Sequence, residues 1–209
     1  MNKLISFIII MCLTSCIGKY KTDAQQATIT QVSASETTGD TLHLDLSASE
    51  VLWKGTKMGG AGKHEGRIQL SEGYFLSEDN QLTGGRFFAA MNTIEVSDIP
   101  KHEPIPRKRL NDHLKSTDFF NADEYPYSQF EITSVRRLPS DSLEISGNLT
   151  IKDIQHGIRF PAMYTNKILT AVFTIDRHQW NVAYTGSWVD KTFVDKDIAL
   201  EIRLESAAN

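Results

Sequence analysis

Both cysteines of this 209-residue chain, Cys12 and Cys16, stand four residues apart. In another setting that spacing would serve a metal ion or a dithiol–disulfide pair. The six histidines are His43, His64, His102, His113, His156 and His178. None stands four residues from another, so no helical turn would aim two imidazoles at one metal ion. His64 beside Glu65, and His113 beside Asp112 and near Asp118, have the residue types of an acid–base pair. The same residues serve equally well as hydrogen-bonded surface groups. The stretch GGAGKHEG, residues 59–66, has the glycine content of a phosphate loop. Lys57, however, stands where the first glycine of that pattern belongs, and His64 replaces its Ser or Thr. It reads as a flexible loop between strands. GxSxG, HExxH and paired CxxC motifs are absent from the sequence. These residues point to no enzyme, no metal and no cofactor.

The surroundings of the cysteines give them another use. Lys3 precedes an apolar run over residues 4–13, too short to cross a hydrocarbon core of about 30 Å as a helix. It has the proportions of a secretory signal. Leu13-Thr14-Ser15-Cys16 resembles the bacterial lipoprotein box, in which the cysteine receives a diacylglyceryl group and the chain is cut just before it. On that reading residues 1–15 are a signal peptide and Cys16 is the lipid attachment. Two or more acyl chains anchor a protein stably where one does not. The alternative is an ordinary signal, or a short membrane helix, that happens to contain cysteines. A lipidated mature chain has neither a free thiol nor a disulfide, so its stability rests on a core. Ile17, rather than Asp, after Cys16 favours the outer membrane. The expected location is the bacterial envelope, facing the periplasm.

The net charge of -4 describes a mildly acidic surface and argues against a nucleic-acid partner. Removing residues 1–15 takes away one basic residue, Lys3, and no acidic one. Residues 16–40 are rich in Ser, Thr, Gln and Ala and poor in large apolar groups; they read as a flexible tether. Residues 41–209 then form one domain, long enough to bury a core. Residues 101–110, KHEPIPRKRL, gather Lys101, Arg107, Lys108 and Arg109. Such a patch suits a phosphate or lipid head group, or is simply a solvated loop.

The elements that would position these residues are strands. TLHLDL, residues 41–46, alternates with Leu42, Leu44 and Leu46 on one face. EVLWKGTK, GRIQL and YFLSE follow, the last two separated by a turn at Ser71-Glu72-Gly73. Residues 85–96 read as one long strand, and 128–138 and 142–154 as a pair. Further strands are expected over 156–164, 169–176 and 197–205, the last with apolar and charged residues on opposite faces. Helix is expected mainly within 107–126, where Leu110, His113 and Leu114 share a face before Pro126; a short irregular or helical piece is expected over 177–188. Eight or nine strands with little helix predict an all-β barrel or sandwich, and closure favours the barrel because it removes sheet edges.

The order of motifs resembles the YceI-like family of lipid- or polyisoprenoid-binding envelope proteins. The match lies in LNDHLKSTDFFNADEYPYSQFEITSV (110–135), LEISGNLTIKDIQHGIRFP (143–161), AVFTIDRHQW and VLWKGTKMGGAGKHEGRIQLSEG. The resemblance covers roughly residues 41–205. It implies a lipocalin-like antiparallel β-barrel of about eight strands with one short helical segment, enclosing an apolar channel for a long isoprenoid or fatty lipid. Trp53, Phe87, Phe119, Phe120, Phe130 and Trp180 are then candidate wall residues, with core packing as the competing role. Lys54, His64, His113 and Arg177 are candidates for a polar mouth. The expected partners are an apolar amphiphile and, through the lipid anchor, a membrane; oligomeric state is open, a homodimer included. Two rivals stand beside this reading: a barrel enzyme using a His/carboxylate pair, and a surface interaction module with a filled core.

Overall fold

The computed structural model of the protein describes residues 24–183 and 194–208. The signal peptide, Cys12 and Cys16 lie outside the described residues. In chain order the strands are β1 (Gln25–Gln26), β2 (Thr28–Thr30), β3 (Asp40–His43), β4 (Glu50–Lys57), β5 (Gly62–Ile68), β6 (Leu70–Glu78), β7 (Gln81–Ala90) and β8 (Glu95–Val96). The helix α1 (Pro104–Lys115) follows, then β9 (Tyr127–Arg137), β10 (Ser142–Ile151), β11 (Ile154–Thr165), β12 (Ile168–Asp176) and β13 (Val194–Glu205).

Period-two alternation makes these strands the wall of a barrel. Along β12, Leu169, Ala171, Phe173 and Ile175 are buried, whereas Thr170 and Val172 face solvent. Neighbours run β6-β7-β9-β10-β11-β12-β13-β4-β5, each antiparallel to the next. β5 passes through Gln69 directly into β6. Gln69 N–H donates to Thr93 Oγ1 at 2.9 Å, and Ala90 N–H donates to Gln69 O at 2.9 Å. The last strand of the row and the first are therefore one bent piece of chain, and the sheet curls into a ring. The gap beside that bend is filled by a 3-10 turn at Met91–Thr93, by β8 and by α1. Asn111 Oδ1 accepts from Val96 N–H at 2.8 Å, which seats the helix.

The helix begins earlier than expected. Pro104 and Pro106 open it, in the first turn where a missing N–H costs little. It ends at Lys115, well before Pro126, because the Ser116 N–H turns back to the Asp112 and His113 carbonyls. Three local expectations are corrected. Ser71-Glu72-Gly73 is a bulge inside β6 rather than a turn; a Cβ on Gly73 would crowd the Leu44 and Phe87 side chains, at 2.8 and 3.0 Å. The strand expected over 85–96 is broken at Met91–Thr93. The glycine-rich stretch is loop only up to Ala61, since Gly62 already opens β5.

The tether expectation fails for the described part of 16–40. β11 and β12 pair only next to their hairpin, over Met163–Thr165 and Ile168–Thr170. Beyond that they part, and the N-terminal arm fills the seam. β1 pairs in parallel with β12 at Phe173 and Thr174, and β2 pairs antiparallel with β11 at Gly157, Ile158 and Arg159. Ala27 between them is buried. The arm then crosses the outside of the barrel. Asn148 behaves like a strand's backbone, accepting from Ser33 N–H at 3.2 Å and donating to Ser33 O at 2.7 Å. Farther along, Thr83 Oγ1 donates to Thr38 O at 2.5 Å. Gly157 and Gly84 clear the path: a Cβ would lie 2.2 Å from Gln31 O at the first and 2.3 Å from Thr37 Oγ1 at the second. Polar composition is compatible with this docking because backbone hydrogen bonds, not apolar burial, carry it.

Candidate functional site

Inside the ring lies a cavity of about 250 Å³. One water needs about 10–15 Å³ of such space, so the cavity holds on the order of twenty water-sized groups, or an extended hydrocarbon with about that many carbons. Its wall shows the hollow directly. Val51, Ile68, Leu70, Phe130, Leu149, Ile198, Leu200 and Ile202 line it, yet each is only half-buried. A tightly filled barrel would have covered them.

One end is closed by aromatic rings. Phe75, wholly buried, meets Phe87 edge-on at 5.4 Å and Tyr164 at 5.6 Å. Behind the seam, Phe160 of β11 and Phe173 of β12 stack at 4.1 Å and 16°. They bridge on the inside the gap that the arm covers on the outside. Phe130 adds a third ring, 5.5 Å from Phe160.

Six polar residues of the lining gather at the other end, around the β4–β5 hairpin: Thr56, Lys57, Lys63, His64 and Asp195, with Arg177; Ser128 and Gln129 of β9 and His113 of α1 are the others. Asp195 fixes the hairpin. Its carboxylate accepts from Thr56 Oγ1 at 2.6 Å and from the Gly59 and Gly60 N–H groups at 3.0 Å. These bonds, the Thr56 hydroxyl first, hold its pKa below the ordinary aspartate range. Gly59 and Gly60 take φ of 65° and 91°, which suits residues without a Cβ. Arg177 is 1% exposed and donates to the backbone carbonyls of Asp195, Val182 and Val194 at 3.1, 2.6 and 3.0 Å. Its guanidinium lies 5.7 Å from the centre of the Phe119 ring. Burial lowers its pKa from the usual arginine value, but an arginine so far above neutral stays charged.

His64 does not use Glu65, whose carboxylate pairs with Lys63 at 2.9 Å. Its partner is Asp98, with Nδ1 at 3.0 Å from Oδ2, while Asp98 Oδ1 accepts from Glu65 N–H at 3.0 Å. When Nδ1 carries the proton to Asp98, Nε2 becomes an acceptor for a hydroxyl at the mouth. His113 sits on the cavity face of α1, 5.9 Å from the Phe119 ring. Phe119 and Phe120 are edge-on to each other at 5.2 Å.

Eight of the ten expected site residues therefore line one cavity: Trp53, His64, Phe87, His113, Phe119, Phe120, Phe130 and Arg177. Two do not. Lys54 follows inward-facing Trp53 on β4, so the strand's alternation points it outward. Trp180, wholly buried, packs edge-on to His156 at 5.3 Å and donates its Nε1–H to Leu149 O at 3.0 Å; it is a structural plug. Sequence reasoning missed the aliphatic wall of β13, although the alternation of Ile198, Leu200 and Ile202 marked it. It also missed Phe160, Phe173, Lys57, Lys63 and Asp98. Among the described residues no cluster of three metal-ligating side chains occurs.

The family model of the YceI-like domain matches residues 42–206. The protein called YceI from Shigella flexneri is 26% identical over 97 residues, which is 46% of this chain and 47% of that one. The aligned part thus spans about half the length of that relative. The crystal structure of BcnA from Burkholderia cenocepacia superposes with a TM-score of 0.65 at 20% identity, covering 79% of this chain and 99% of BcnA. A polyisoprenoid binding domain from Saccharophagus degradans, implicated in plant cell wall breakdown, superposes with a TM-score of 0.59 at 10% identity, covering 80% and 98%. At these identities the likeness is one of fold.

Proposed function

The chain belongs to the YceI-like family, and from that membership and its hollow barrel we propose that it binds and carries a long apolar amphiphile, a polyisoprenoid or fatty lipid, in the bacterial envelope. The observation that carries this reading is the half-buried inner wall around a cavity of about 250 Å³. Apolar walls recognise a chain by area, at about 0.8 kcal/mol per buried methylene before ordering costs. The charged and hydrogen-bonding groups at the β4–β5 end, His64 with Asp98 and the neighbouring lysines, set which way the chain enters. Binding of this kind needs no catalytic group, so the protein is read as a carrier rather than an enzyme. The filled-core rival loses its support, since the barrel interior is open. Lipid attachment at Cys16 would keep the carrier at the outer membrane, facing the periplasm.

The test is native mass spectrometry of the full chain from a bacterial host, followed by organic extraction. A stoichiometric isoprenoid or fatty species supports the proposal. A protein that arrives empty and takes up neither added quinones nor prenyl lipids overturns it.

A further inference from the structure

One lip of the mouth differs in character from the rest of the molecule. Residues 54–65 and 98–115 hold eight Lys or Arg against four Asp or Glu, in a chain whose net charge is -4. The fold puts these two stretches together. From β8 the chain runs back along β5, with the Ser97 N–H on Glu65 O and Asp98 on His64. It therefore reaches the level of the β4–β5 hairpin before turning into α1. The hairpin tip and the start of α1 stand at the same end of the barrel, beside the cavity that Lys57, Lys63 and Leu110 line. Each carries a large apolar side chain into solvent: Met58 is 61% exposed and Ile105 is 72% exposed. Lys57, Lys101 and Arg109 are exposed around them and make no ion pair among the described residues. At the β10–β11 hairpin, by contrast, Lys152 has the carboxylates of Glu124 and Asp153 close to it. The hairpins at the far end of the barrel mix Glu78, Asp79 and Asp141 with Arg136, Arg137 and Lys167, so they have no excess of basic charge.

We propose that this lip, with Met58 and Ile105 as apolar tips and Lys57, Lys101 and Arg109 as the charges around them, is a docking surface for an anionic lipid bilayer. Basic residues are drawn to anionic head groups, and apolar side chains among them sink into the interface. The far-end hairpins have no such excess of basic charge, so the mouth is the end that faces the lipid. The inference rests on the carrier reading and deepens it: a chain-shaped ligand passes between bilayer and cavity without crossing water.

The experiment uses the full chain carrying Cys12→Ser and Cys16→Ser, with an environment-sensitive dye on Met58→Cys. The vesicles are phosphatidylcholine with or without phosphatidylglycerol. Insertion of residues 4–13 would tether the protein to either vesicle, but it moves a dye at position 58 into lipid only if the lip turns to the bilayer. The dye is expected to shift to an apolar environment on the anionic vesicles alone, and to return to water at high salt. A dye on Asp79→Cys, at the far end, is expected to stay in water. Lys57→Gln, Lys101→Gln and Arg109→Gln together should require roughly a hundredfold more anionic lipid for the same shift. No shift at position 58, an equal shift on neutral vesicles, or an equal shift at position 79 overturns the proposal. Uptake of a fluorescent farnesyl probe, measured on the same protein without vesicles, tests the carrier reading separately.

Discussion

Leu200→Trp is the most direct probe of the cavity. Leu200 lies on β13 with its side chain on the hollow and is only half-buried. An indole there adds six heavy atoms to the space a ligand would occupy. Displacing about six methylene groups removes up to about 5 kcal/mol of burial, several thousandfold in Kd. The chain can slide to recover part of this, so the expected loss is at least a hundredfold. Overpacking a filled core would cost about 1–3 kcal/mol of stability; here the indole enters open space, and Tm should hold or rise. Glu201→Trp, one residue on and exposed, is the control and should leave binding unchanged. The assay is titration of the fluorescent farnesyl probe, alongside thermal unfolding. If Leu200→Trp folds and binds within about threefold of the parent, the ligand does not occupy this cavity.

Three further outcomes follow from the same geometry. Asn148→Ala removes both bonds to the Ser33 backbone and should cost about 1–3 kcal/mol; hydrogen exchange should quicken over residues 28–38 while β12 and β13 stay protected. Because the folded-state pKa of Asp195 is depressed, its contribution is whole above the ordinary aspartate range and disappears as pH falls through the folded value. Amide exchange at Gly59 and Gly60 should therefore rise only below about pH 4, whereas Asp195→Asn should show it at neutral pH. Trp180→Phe leaves Leu149 O without its donor, which predicts a stability loss of about 1–3 kcal/mol by thermal unfolding with farnesyl affinity unchanged. A large loss of affinity would return Trp180 to the ligand wall.

The wall was the legible part of the sequence. In β12 and β13 the inward and outward residues differ in kind, so alternation names strand and face together. The same rule would have separated Lys54 from Trp53, had the strand's parity been applied to the lysine. Other features depend on partners far apart in the chain. His64 and Asp98 are 34 residues apart, and nothing local to either marks the other. The arm is polar because it lies on the outside of the barrel, where Ala27 is its buried apolar residue. Its local composition is therefore that of a linker. The marks of its docking sit elsewhere, in Gly84, Asn148 and Gly157.

That seam has a consequence for how the protein can be cut. A fragment starting at Thr41 matches the family boundary, yet it discards the piece of wall between β11 and β12. Gly157–Arg159 and Phe173–Thr174 would then present open backbone edges, ready templates for another copy of the chain. Oligomers seen with such a fragment would be products of truncation. The shortest version that keeps the wall intact begins no later than Ala24, with the arm retained as part of the barrel.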